Sequence, residues 1–134
     1  MQAKLEAIVG RFGADTGTIH LLEDGVLMLK AHAGVPAPVV RIVERVPIGK
    51  GMAGLAAERN EPVSTCNIQS DNSGNVNAGA KQTDVGGAIV VPIRNGLGDA
   101  VGALGIGVHR EHTYSATEVS QLLEEAAGLA PSAE

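Results

Sequence analysis

The sequence predicts an α+β fold, a central antiparallel β-sheet with the N- and C-terminal helices packed on one face. Three observations carry this. Segments 16–33 and 86–109 each alternate like strands and turn back at a glycine-containing loop. Residues 1–12 and 115–129 place apolar side chains at helical spacing. Between the hairpins, Gly49-Lys50-Gly51-Met52-Ala53-Gly54 leads into a short Ala-rich helix. A chain of 134 residues fits one domain, 1–134, and not comfortably two.

The elements follow in order. Leu5, Ile8, Val9 and Phe12 form the stripe of the first helix, and Gly13 stops it. The first hairpin turns at Glu23-Asp24-Gly25, and loop length decides which face is buried. A two-residue Asp24-Gly25 turn puts His20 on a face with Leu27 and Leu29. A three-residue loop instead groups Ile19, Leu21, Leu27, Leu29 and Ala31, leaving His20, Met28, Lys30 and His32 opposite. The three-residue loop is preferred because it gives one face free of polar groups. Segment 39–45, after Pro36 and Pro38, reads as a short helix or an irregular link. Val46-Pro47-Ile48 is extended, a helix follows near 51–59, and Pro62 to Thr65 is an edge strand because proline has no N–H to donate.

Residues 67–85 are rich in Asn, Ser and Gly and poor in apolar side chains. Loops longer than about 12–15 residues are uncommon in compact domains and often functional, so this is the expected recognition loop. In the last strand Leu104, Ile106 and Val108 point one way and Ala103, Gly105 and Gly107 the other. The Ala/Gly face suits a closely approaching helix or the floor of a pocket. Ser115 and Glu118 form a capping box, and Val119, Leu122, Leu123, Ala126 and Ala127 make the stripe of the final helix.

Composition narrows the function. Phe12 and Tyr114 are the only aromatic residues, so stacking on a base or a flavin has little material. The formal net charge is −5, with ten scattered Lys and Arg, which argues against nucleic acid and anionic membranes as partners. No run of about 18 apolar residues and no signal-peptide pattern occurs, and Cys66 is the only cysteine, so the expected location is cytoplasmic. Gly49, Gly51 and Gly54 spell a G-x-G-x-x-G. A dinucleotide fold would need parallel strand–helix–strand units and an acidic partner, for which only Asp71 is available; the hairpins argue instead for a structural turn. His109 and His112 lack companions for a tetrahedral metal site, and the four histidines read as solvated. Arg41 and Arg45 share a face if their segment is helical, usually a solvated one.

The element order, with Ile48-Gly49-Lys50-Gly51-Met52-Ala53-Gly54-Leu55-Ala56, Pro62-Val63, Ile89-Val90-Val91-Pro92-Ile93, Val101 to Ile106 and Tyr114-Ser115-x-x-Glu118, resembles the PAS-related GAF family over about residues 3–129. The resemblance implies a sensory, signalling or dimerisation domain. One enzyme group in the family, the free-methionine-R-sulfoxide reductases, uses cysteines; its motif G-K-G-V-C-G reads Ala53 at the cysteine position, and its second motif falls around Ala80-Lys81-Gln82, also without cysteine. Members that bind cyclic nucleotides carry Asn-Lys where this chain has His109-Arg110, and bilin attachment would have only Cys66.

The resulting expectation is a non-catalytic, small-molecule-sensing GAF domain with no cofactor or metal. Its ligand would sit between the sheet and the 67–85 loop, held by Asn75, Asn77, Thr83 and Asp84, with Ile89 and Val91 or their neighbours as the floor. A reductase-like enzyme or degenerate amino-acid binder, and a ligand-free dimerisation module, are the alternatives. A homodimer through the terminal helices is the expected assembly.

Overall fold

The computed structural model describes residues 1–70 and 85–131. Among the described residues, six strands form one sheet in the order β3-β2-β1-β6-β5-β4. In chain order these are β1 (Thr16–Glu23), β2 (Val26–Ala33), β3 (Arg45–Pro47), β4 (Val63–Thr65), β5 (Ala88–Arg94) and β6 (Ala100–Gly107). Every strand pair is antiparallel. The short strands β3 and β4 are the two edges, as Pro62 beside β4 led one to expect.

The helices divide between the two faces. Helices α1 (Gln2–Phe12) and α4 (Ala116–Ala127) bury Leu5, Ile8, Leu122 and Ala126 against Ile19, Ala31, Ile89, Val91, Ile93 and Leu104. An Arg11–Glu125 ion pair links the two helices at the surface. Helices α2 (Ala37–Val43) and α3 (Gly51–Arg59) lie on the other side, where Met52, Ala56 and Ala57 pack with Val63, Ala88, Leu27 and Ala103. Strand alternation makes this division: Leu104 and Ala103 are neighbours in β6 and belong to opposite cores. At α4 both capping-box bonds are present, Glu118 N–H donating to Ser115 Oγ and Ser115 N–H to Glu118 Oε1.

The first hairpin corrects the expected register. Its loop is the two-residue Asp24-Gly25, with φ of 51° and 79°, a twist that matches the flanking strands. Leu22 therefore faces Leu27, and His20 faces Leu29. One step further the register shifts, so that Ile19 faces Ala31 and Lys30 is the extra residue of a bulge. The bulge lets both apolar groupings exist at once: Leu27 joins the α3 core, while Ile19 and Ala31 join the terminal-helix core.

The glycine run is the structural turn expected of it. Gly49 and Gly51 have φ of 86° and 63°, a region that costs most other residues strain. A Cβ on Gly54 would lie 2.5 Å from the Pro47 carbonyl oxygen. That close approach seats α3 on the chain leaving β3, with Gly49 N–H donating to Gly54 O at 2.9 Å.

Candidate functional site

The α2/α3 face of the sheet contains a cavity of about 160 Å³. Among the described residues, its floor is Thr16, Thr18 and His20 of β1, Ala88 and Val90 of β5, and Gly105 and Gly107 of β6. Val35, Val39, Val43 and Val46 close one side. The start of α3, from Lys50 to Ala53, closes another, and Ile68 and Val85 line the remainder. The floor follows from residue size. The Ala/Gly face of β6 presents no side chain beyond Cβ, so α2 and α3, resting on the rim, span a hollow.

The expected site residues fall in two places. Asn75, Asn77, Thr83 and Asp84 lie outside the described residues, as do Asp71 and Ala80-Lys81-Gln82. Ile89 and Val91 are buried in the terminal-helix core and do not line the cavity. Their neighbours Ala88 and Val90 do, because successive strand residues point to opposite faces. Val85 and Ile68, at the two borders of the 67–85 stretch, are cavity residues. They are pinned there by Ile68 N–H donating to Gly86 O at 2.8 Å and Gln69 Nε2 to Val85 O at 3.1 Å.

His20 is the residue whose environment sequence reading missed. It is not solvated: it is 2% exposed, at the centre of the sheet. Its Nε2 bonds the Val43 carbonyl at 2.8 Å, satisfying one of the carbonyls that the end of α2 leaves open. Leu29 N–H, beside the bulge, donates to the next one, Glu44 O, at 2.9 Å. A carbonyl only accepts, so Nε2 carries the proton. Nδ1 is then a bare acceptor, buried and without a partner. Burial pulls the imidazole below its ordinary pKa, with the Val43 carbonyl partly opposing. The usable signal in the sequence was the Asp24-Gly25 turn, whose two-residue register places His20 on the face of Leu27.

The other polar residues are structural. His112 Nε2 meets Glu118 Oε2 at 2.9 Å, and its ring stands edge-on to Tyr114 with centroids 4.6 Å apart. The Tyr114 hydroxyl donates to Gly87 O at 3.2 Å, and burial, reinforced by Glu118, pushes its pKa up to about 12. Glu118 is held below the ordinary carboxylate range, first by the Ser115 N–H and then by His112. This cluster fastens the chain after β6 over Gly86 and Gly87. Among the described residues no three metal-ligating side chains converge. Arg41 lies on α2 and Arg45 on β3, both exposed, so they share no helical face. Cys66, directly after β4, is exposed. Ala53, the position where the reductase motif has cysteine, lines the cavity.

No helix among the described residues is long and apolar enough to cross a membrane. No curated protein matches the chain. Among solved structures, the type II free methionine-R-sulfoxide reductase of Thermoplasma acidophilum is similar at 23% identity and a TM-score of 0.80, over 96% of this chain and 86% of that one. The free methionine-R-sulfoxide reductase of Neisseria meningitidis, solved with its substrate, gives 21% identity and a TM-score of 0.76 over 92% and 70%. The GAF domain of a phosphoenolpyruvate-protein phosphotransferase from Coxiella burnetii gives 23% and 0.77 over 93% and 74%. At these identities the likeness is one of fold. The family model for the GAF domain matches residues 1–133, and the chain belongs to the GAF domain family.

Proposed function

We propose that this GAF domain is a non-catalytic sensor that takes a small molecule in the cavity between the sheet, α2 and α3, with the 67–85 segment completing the site. The observation that carries the reading is the cavity itself. The floor is kept open by Gly105 and Gly107, and among the described residues four strands and two α-helices contribute to its walls. The cavity borders Ile68 and Val85, which supports Asn75, Asn77, Thr83 and Asp84 as polar contacts for the exposed end of the ligand. The terminal helices share one core on the opposite face. Ordering of the cavity floor would reach them through the same strands and pass to a partner, for which a second copy of this chain is the candidate.

A thermal-shift screen of metabolites tests this reading. A ligand at a hundred times its dissociation constant should add about 2.7 kcal/mol of stability. Flat responses across amino acids, nucleotides, organic acids and small neutral molecules would favour a dimerisation module without ligand. A mass measurement showing monomer at every concentration would count against the dimer.

The second reading is a degenerate relative of the reductases that retains an amino-acid site. It is favoured by the reductases among the structures of similar fold and by Ala53 at the cavity wall. Thiol reduction of a sulfoxide ends in a disulfide, and Cys66 has no second cysteine in the chain with which to form one. Stabilisation by methionine without turnover of its sulfoxide would establish this reading. Turnover with an added thiol reductant that disappears in Cys66→Ser would restore the enzyme.

A further inference from the structure

Two cavity-lining residues, Ile68 and Val85, are tied through their chain neighbours to the segment that leads from β6 into α4. On the Val85 side, Gly86 N–H donates to Val108 O at 2.7 Å and Gly87 N–H to Arg110 O at 2.7 Å. Val108 N–H returns to Gly87 O at 3.0 Å. On the Ile68 side, His112 N–H donates to Cys66 O at 3.0 Å, and Asn67 Nδ2 to Glu111 Oε1 at 2.9 Å. Residues 108–114 hold both borders at once.

These contacts have little slack. A Cβ on Gly86 would run into the Arg110 carbonyl, and one on Gly87 would lie 2.7 Å from the His112 carbonyl oxygen. Backbone lies directly on backbone, with no side chain between them to yield. A shift at Val85 has to move residues 108–112 or break their bonds. His112 carries that movement onward. Its Nε2 donates to Glu118 Oε2 at 2.9 Å, because a carboxylate only accepts. Oε1 of the same carboxylate accepts the Ser115 N–H at 2.9 Å and completes the capping box of α4. The first turn of a helix is where fraying starts, and the cap decides whether it is open or closed.

We propose that residues 108–114 are a relay between the cavity and α4, with the His112–Glu118 pair as its joint. Closing of the cavity border and closing of the α4 cap are one coupled equilibrium. His112 is a positioning residue, acting through Glu118. A molecule that holds Ile68 and Val85 in place would order the start of α4, which shares its core with α1. That use of the relay rests on the cavity being the ligand site; the coupling does not.

Amide hydrogen exchange, resolved by residue with NMR on the full chain and with no ligand added, tests the relay. Ser115→Ala removes the cap from the α4 side and touches no bond of residues 108–112. It should speed exchange of the Glu118 amide by about fivefold, the worth of one cap. The opening should travel back, so that the Ile68 and Gly86 amides exchange about threefold faster, beyond any change at Leu104 in the central strand. His112→Ala removes the joint and leaves the capping box intact. Adding Ser115→Ala to it should change Ile68 and Gly86 no further. A response at Ile68 and Gly86 no larger than at Leu104 would overturn the relay. So would an undiminished response in the double variant, because the coupling would then bypass His112 and Glu118. Either failure leaves the cavity standing as a ligand site, and a flat metabolite screen leaves the relay standing.

Discussion

The two faces of this sheet are made by the same strands and have opposite characters. Towards α1 and α4, β5 and β6 present Ile89, Val91, Ile93 and Leu104, each no more than 1% exposed and packed into one continuous core. Towards α2 and α3, the alternate residues are Ala88, Val90, Ala103, Gly105 and Gly107, and a hollow remains between them and the helices. Close packing is what a face needs to hold a fold together, and a void gives away dispersion contacts that the other face must supply. The division assigns stability to one set of residues and recognition to the interleaved set. Mutations on adjacent positions should therefore read out different properties.

The largest expected difference is between Leu104 and Val90. Leu104→Ala removes a fully buried side chain from the terminal-helix core and should cost about 2–5 kcal/mol in chemical denaturation. Val90→Ala takes away a half-buried side chain that already borders a void, and should cost about 1 kcal/mol. Similar losses at the two positions would mean that the α2/α3 face is packed as tightly as the other.

Overpacking makes the same contrast on the first face. A Cβ on Gly17 would lie 2.7 Å from Val9 Cγ2 and 2.9 Å from Leu5 Cδ1, so α1 would have to move. Gly17→Ala should cost about 1–3 kcal/mol and lower the melting temperature accordingly.

This contrast also marks how far the sequence could be read. The alternation of Leu104, Ile106 and Val108 with Ala103, Gly105 and Gly107 made both faces of β6 legible, and the Ser115/Glu118 box made the start of α4 legible. Gly49, Gly51 and Gly54 were readable as a turn because the hairpins excluded a parallel sheet. The site was less legible. Ile89 and Val91 differ from Ala88 and Val90 by one residue of register, and in a strand whose two faces are both apolar, hydrophobicity does not say which face holds the hollow. His20 was hidden by a bulge. A single extra residue, Lys30, lets a polar-in register near the turn and an apolar-in register beyond it share one hairpin, and no local propensity announces it.

His20 sharpens the comparison through pH. Its folded-state pKa is lowered, so between that value and the ordinary one near 6.5 the unfolded chain binds a proton that the folded chain does not. Stability from this group is therefore undiminished above about pH 6.5 and falls as the pH drops below it. The slope approaches at most about 1.4 kcal/mol per pH unit. Denaturation curves at pH 7.0 and 5.5 should show this loss in the wild type and a smaller one in His20→Leu. An equal loss in both would mean that burial does not lower the pKa of His20 in the folded chain.

The smallest effect on stability belongs to Gly105, and there the comparison is most exposed to refutation. A Cβ at this position would stand 3.0 Å from Thr18 Oγ1 and 3.2 Å from Val90 Cγ2. Both contacts are side-chain atoms bordering the cavity, with room to give by a few tenths of an ångström. Gly105 has no positive φ, so alanine gains about 0.5–1 kcal/mol by restricting the unfolded chain. That gain should roughly offset the crowding and leave stability within about 0.5 kcal/mol of the wild type. The same methyl group rises from the floor into a space of about 160 Å³ and should weaken binding of a metabolite that stabilises the wild type in the thermal-shift screen by about tenfold. Gly17→Ala and Gly105→Ala are thus one chemical change on two sides of one sheet. The first should lower stability and spare binding, and the second should spare stability and lower binding. If Gly105→Ala binds that metabolite as well as the wild type does, the hollow over β6 is not where the molecule sits.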